Sequence, residues 1–289
     1  MKTIFSLLMC FLLLTACASP SAVPDIIGTD ISDMHIDHGS EKNLDEDSGR
    51  LNESPRHHEW VEVKNGDKTI YTWVVYPERS DAAPVVLVIH ENRGLNDWAR
   101  SFADQVAEAG YIAVAPDLLS NFSDEFDRTS DFADEDAARD ALYLLDPVKV
   151  QSDLKVVAEY AKSIKAGSGK LATAGFCWGG AKSFEFATES DSADAVMVFY
   201  GTSPEDVKAY ENISSPVFGF YGGNDQRVNA TIDRAQEAMS SLEKPYEVEI
   251  YEGAGHAFMK KGEAEDLDTP NRKARDAAFE RMEEILEKL

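Results

Sequence analysis

Three cysteines in 289 residues are too few for a disulfide framework. Cys10 lies inside an N-terminal apolar segment and Cys17 closes it, which leaves Cys177 without a partner. Positive charge is also scarce: 28 Lys and Arg stand against 53 Asp and Glu, a formal net charge of −25. So acidic a surface repels phosphate backbones, which argues against nucleic-acid binding. The N-terminal apolar stretch, Ile4 to Leu14, falls short of the roughly 20 residues that a membrane-spanning helix needs. There is no glycine-rich phosphate loop and no Cys and His set at ligand spacing, so neither a nucleotide cofactor nor a metal is expected. His35, His38, His57 and His58 lack carboxylate or cysteine neighbours at such spacing and read as solvated residues. What is present is 43% hydrophobic content, ample for one large core.

Met1-Lys2 followed by Ile4 to Leu14 has the form of a secretory signal. Its end, Leu14-Thr15-Ala16-Cys17, resembles the lipobox of bacterial lipoproteins. The resemblance implies removal of residues 1–16 and acylation of Cys17, and two or more chains give stable anchoring. It places the protein on the bacterial cell envelope. Ala18-Ser19 lacks the aspartate that retains many such proteins in the inner membrane, so an outer-membrane site facing the periplasm is favoured where the host has two membranes. From residue 17 to 57 no hydrophobic period survives among Ser, Pro, Asn and acidic residues, which predicts a disordered tether. The folded domain is expected over residues 58–289.

Within it, Glu59 to Val63 and Thr69 to Tyr76 read as a hairpin around Asn65-Gly66-Asp67. Val85 to Ile89, Ile112 to Ala115, Leu171 to Ala174, Ala195 to Tyr200, Val217 to Tyr221 and Tyr246 to Tyr251 read as further strands, several of them continuous apolar runs buried on both faces. Helical patterns run over Trp98 to Ala109, Ala133 to Leu145, Pro147 to Ile164, Ala181 to Thr188, Ala230 to Leu242 and Arg272 to Leu289. Strands alternating with helices predict an α/β fold, a mostly parallel doubly wound sheet with helices on both faces and the hairpin at its edge. No internal repeat or second domain is evident.

Gly175-Phe176-Cys177-Trp178-Gly179-Gly180 sits between a strand and a helix with the spacing of a nucleophile elbow. The sharp turn exposes Cys177, and the glycines two residues to either side permit the backbone to close on itself. Asp225 follows the strand ending at Tyr221, His256 the strand ending at Tyr251, and Glu91 the strand ending near Ile89. In doubly wound sheets ligands bind outside these carboxyl ends. Nucleophile, acid, then histidine is the chain order of an α/β-hydrolase triad. In such a triad His256 takes the thiol proton, Asp225 orients the imidazole, and the backbone N–H groups of Trp178 and Asn92 hold the oxyanion.

Taken with His90-Glu91-Asn92-Arg93-Gly94-Leu95, Gly-Gly-Asn-Asp ending at Asp225 and Gly-Ala-Gly-His-Ala-Phe around His256, this sequence resembles dienelactone hydrolase from Glu59 to Leu289. The resemblance implies a cofactor-free hydrolase of small esters or lactones working through an acyl-thioester. It also implies that Glu91 holds the resting thiol and accepts its proton when substrate arrives. The family's two substrate-carboxylate arginines are not reproduced: Lys260 stands at one position and Glu135 at the other, with Arg139 one turn away. Lysine keeps the charge but not the bidentate fork. A broader carboxylesterase or thioesterase, and a non-catalytic lipid-anchored binding protein on the same fold, stay open as alternatives.

Overall fold

The computed structural model describes residues 49–264, 266 and 268–289. The expected signal segment, Cys17 and the tether as far as residue 48 lie outside the described residues. Strands β1 (His58–Asn65), β2 (Lys68–Val75), β3 (Ala83–Ile89), β4 (Ile112–Pro116), β5 (Gly167–Phe176), β6 (Ala195–Phe199), β7 (Val217–Gly222) and β8 (Tyr246–Tyr251) form one eight-stranded sheet in the order β1-β2-β4-β3-β5-β6-β7-β8. β1, β2 and β4 pair antiparallel, and every pair from β4–β3 to β7–β8 is parallel. This is the mostly parallel sheet with an edge hairpin expected from the alternating pattern, in the α/β-hydrolase arrangement that the family resemblance implies.

Period-2 geometry divides each central strand between two cores. In β3, Val86 and Val88 enter one, while Val85, Leu87 and Ile89 enter the other. Helices α1 (Asp97–Glu108) and α8 (Pro270–Leu286) cover the first face through Trp98, Phe102, Val106, Ala278, Met282 and Ile285. The second face is covered by α3 (Pro147–Ser163), α4 (Trp178–Glu189) and α6 (Ile232–Ser241), through residues such as Leu154, Val157, Phe184 and Met239. Burial on both faces explains why these strands read as unbroken apolar runs. The helix starts follow local chemistry. Asp146 caps α3 by accepting from Val148 N–H, with Pro147 just inside, and Thr269 with Pro270 repeats the device at α8.

Three differences from the sequence reading stand out. α4 begins at Trp178 rather than Ala181, directly after the cysteine. The helix expected over 230–242 is α6, preceded by the short α5 (Gln226–Asn229), and neither α5 nor α7 (Phe258–Ala264) was anticipated. Residues 49–53 are helical, and the segment containing them is fixed to α1. There Asp104, 1% exposed, accepts from Ser54 Oγ at 2.5 Å and from Arg56 Nε and Nη2 at 2.9 and 2.6 Å, and pairs with Arg50. The last residues of the stretch read as tether therefore belong to the domain surface. A buried carboxylate with several donors, rather than apolar packing, holds them.

Candidate active site

Cys177 occupies the junction of β5 and α4 with φ 54° and ψ −112°, a conformation that costs a non-glycine residue about 1–3 kcal/mol. The neighbouring strand and the helix hold it there. Cys177 N–H donates to Phe199 C=O at 3.0 Å, and Ala181 N–H donates to Cys177 C=O at 3.1 Å. The flanking glycines are required sterically: a Cβ on Gly175 would lie 2.1 Å from Gly179 O, and one on Gly179 would lie 2.3 Å from both His90 O and Ile89 O. Trp178 is the first residue of α4, so its N–H has no acceptor within the helix and joins the positive end of the helix dipole beside the thiol.

His256 and Asp225 converge on this thiol from two other strand ends. Asn224 N–H donates to Ala254 C=O at 2.9 Å, and Asn224 Nδ2 donates to Gly253 C=O at 3.0 Å, which binds the loop after β7 to the loop after β8. Asp225 is 6% exposed and caps α5 through Val228 N–H at 3.3 Å. Its Oδ2 lies 2.5 Å from His256 Nδ1, and His256 Nε2 lies 3.1 Å from Cys177 Sγ. Burial alone would make the imidazole harder to protonate. The hydrogen bonds to Asp225 and to Cys177 outweigh it and push His256 up to about 10. The arrangement can therefore carry a proton away from the sulfur and stabilise the imidazolium that results.

Glu91 is 8% exposed just past β3, where the sequence placed it, but it does not take the thiol. Among the described residues its carboxylate accepts from Tyr200 Oη at 3.2 Å, while the hydrogen-bond partner of Sγ is His256. Among the described residues no hydrogen bond joins Glu91 to the Cys177 thiol, where the family resemblance implies one. The preceding residue, His90, is fully buried, and burial holds it at about 4, so it is neutral. Its Nδ1–H donates to Glu91 C=O at 2.7 Å, its Nε2 accepts from Leu118 N–H at 3.3 Å, and its ring stacks on Trp178 with centroids 5.7 Å apart. Asp117, pushed up to about 6 by burial, accepts from Thr129 N–H and Oγ1 at 2.7 and 2.8 Å. Thr129 Oγ1 in turn accepts from Leu95 N–H at 3.0 Å. These two buried groups fix the loop that carries Glu91 and Asn92. Asn92 Nδ2 reaches Tyr143 Oη at 3.3 Å.

The sequence did not single out His90, Asp117 or Tyr200. The available signal was positional, since each lies directly past the end of a strand, as Glu91, Asp225 and His256 nearly do. Of the two expected substrate anchors, one is already paired with carboxylates. Arg139, on α2 (Glu135–Leu142), spans Asp136 and Asp140 at 2.9 Å each, and Arg93 also pairs with Asp136. Lys260 is half-buried on α7. Cys17 lies outside the described residues.

Residues 70–289 match the model of the dienelactone hydrolase family. A protein named as a carboxymethylenebutenolidase from Methylorubrum extorquens is 30% identical over 211 residues, covering 68% of this chain and 71% of that one. Another so named, from Saccharolobus solfataricus, is 28% identical over 76% of this chain and 94% of its own length. Among solved structures, one titled as a dienelactone hydrolase from Klebsiella pneumoniae superposes with a TM-score of 0.68 at 22% identity, covering 78% of this chain and 96% of that one. The family match spans well over half of the sequence, and the fold agrees with it. The chain belongs to the dienelactone hydrolase family, a family of hydrolases.

Proposed function

We propose that Cys177, His256 and Asp225 hydrolyse small carboxylic esters or lactones through an acyl-thioester on Cys177. The observation that carries this reading is the unbroken line of contacts from Asp225 to His256 at 2.5 Å and from His256 to Sγ at 3.1 Å. His256 Nε2 accepts the thiol proton as Sγ attacks the carbonyl carbon, and Asp225 stabilises the imidazolium. The N–H groups of Trp178 and Asn92 receive the developing oxyanion. Collapse breaks the C–O bond, and His256 returns its proton to the leaving oxygen, which in a lactone stays tethered to the acyl group. Water, deprotonated by His256, then attacks the thioester and expels the thiolate, which regains the proton. The relatives' names support a lactone or ester as substrate. No step calls for a cofactor.

A neutral substrate fits better than a carboxylate-bearing one. Arg139 and Arg93 are already committed to Asp136 and Asp140, while Tyr143 and Leu144, 53% and 77% exposed, offer apolar surface beside Asn92. An activated acetyl ester, neutral lactones and a carboxylate-bearing dienelactone compared side by side test this. We expect kcat/KM for the anionic substrate to be at least about tenfold lower than for a neutral lactone of similar size, the loss of one charged contact. Preference for the dienelactone would instead make Lys260 a sufficient anchor. Display on the cell envelope through Cys17 belongs to the same proposal and rests on the segment from Leu14 to Cys17.

A further inference from the structure

We propose that His90 is a positioning residue of the oxyanion hole, whose ring aims the Asn92 N–H and ties it to Trp178, the residue that carries the other donor. The inference rests on the reading above in which these two N–H groups receive the oxyanion, and it assigns a role to a side chain that the reading does not use. The end of β3 abuts the elbow. The carbonyl oxygens of Ile89 and His90 each stand 2.3 Å from where a Cβ on Gly179 would lie, so the chain runs into Glu91 and Asn92 beside the nucleophile turn. The His90 ring is fully buried and gripped on three sides. Nδ1 lies 2.7 Å from Glu91 C=O, Nε2 accepts from Leu118 N–H at 3.3 Å, and the ring lies within 9° of parallel to the Trp178 indole, 5.7 Å between centroids.

These contacts settle the tautomer. A carbonyl at Nδ1 requires a proton there, and an N–H facing Nε2 requires a bare nitrogen. The bond from Nδ1–H then fixes a peptide plane. The Glu91–Asn92 peptide is trans, so its C=O and N–H point in opposite directions. With the carbonyl drawn onto the buried ring, Asn92 N–H faces away from it, and among the described residues no acceptor takes that N–H. A carbonyl that accepts a hydrogen bond polarises its own amide, which strengthens the N–H as a donor. The stack on Trp178 keeps this plane in register with the first residue of α4, whose own N–H has no acceptor within the helix. One side chain therefore supports both donors.

His90→Leu and His90→Asn give side chains of nearly the same shape, and both lose the Leu118 bond and the stack. Only His90→Asn sets an amide N–H where Nδ1–H stands. In His90→Leu we expect kcat for an activated acetyl ester to fall about 100-fold, the worth of one oxyanion donor, at a KM within about threefold of wild type. His90→Asn should keep kcat within about tenfold of wild type. Affinity for a trifluoromethyl ketone, followed by fluorine NMR, reads the same hole without turnover. Sγ bonds the carbonyl carbon, the thiol proton passes to His256, and the former carbonyl oxygen carries the negative charge. This affinity should fall in parallel with kcat, while alkylation of Cys177 by iodoacetamide, which builds no oxyanion, stays within about twofold of wild type in both variants. Equal losses in the two variants, or alkylation that slows in step with kcat, would show a structural role alone and overturn the proposal. Should neither variant fold, NMR of the wild type decides. We expect the Nδ1–H tautomer of His90 at pH 7 and a downfield move of the Asn92 amide proton when the ketone is added; the Nε2–H tautomer or an unmoved Asn92 proton overturns the proposal. A wild type that binds the ketone at Cys177 yet hydrolyses no ester sinks the hydrolase reading alone, and one that binds no ketone sinks both.

Discussion

Replacing Cys177 by alanine is expected to lower ester or lactone turnover by about 10⁴-fold or more while leaving the thermal unfolding midpoint within about 2 °C of wild type. The loss is large because the reading gives the sulfur the bond-forming role, and an activated nucleophile acts as a unit with its base. Stability should hold because the half-buried side chain bonds only His256 among the described residues. The elbow itself is fixed by backbone: Cys177 N–H to Phe199 C=O, Ala181 N–H to Cys177 C=O, and the close approach of Gly175 to Gly179. Alanine keeps all of these. A purified variant that melts like wild type yet retains substantial turnover would remove Cys177 from the chemistry.

Asparagine at position 117 is expected to lose about 2 kcal/mol of stability relative to wild type as the pH falls from 7 to 4. Burial pushes Asp117 up to about 6 from an ordinary 3.8, so the folded chain takes up this proton before the unfolded chain does. Stability from that group therefore grows as the pH falls through 6 and saturates below 3.8. His90 behaves oppositely. Burial holds it at about 4 against an ordinary 6.5, so its contribution is complete above 6.5 and is lost as the pH falls towards 4. Between about 6 and 4 the two slopes oppose one another in wild type. Asparagine cannot take up the proton, so it removes the favourable slope and leaves that of His90 uncompensated. Urea unfolding of both proteins at pH 7, 5.5 and 4 reads the difference. A gap that stays constant with pH would contradict a buried Asp117 that protonates in this range.

The parts of the fold legible in the sequence are those whose physics is local or periodic. The β3 run and the α3 face announce themselves because burial on two faces, or on one stripe, selects residue type at every position. The elbow is legible because only glycine tolerates a neighbouring backbone oxygen at the 2.1 Å a Cβ would face. α7 escaped notice because Lys260, Lys261 and Gly262 break its pattern, and only tertiary packing buries Phe258 and Met259. The docking of residues 49–56 on Asp104 left no trace for a different reason: ion pairs need no hydrophobic period. The state of Glu91 was equally hidden. Its partner Tyr200 lies 109 residues away, and its aim depends on a strained backbone that no pattern of residue types encodes.

The most direct test of the central claim is intact-protein mass spectrometry during single turnover of a slow ester, with Cys177→Ala alongside. The account predicts a transient mass increase equal to the acyl group, mapped to the Cys177 peptide, decaying as product forms and missing in the alanine variant. Turnover without any adduct on Cys177, or an adduct that persists in the alanine variant, would contradict it.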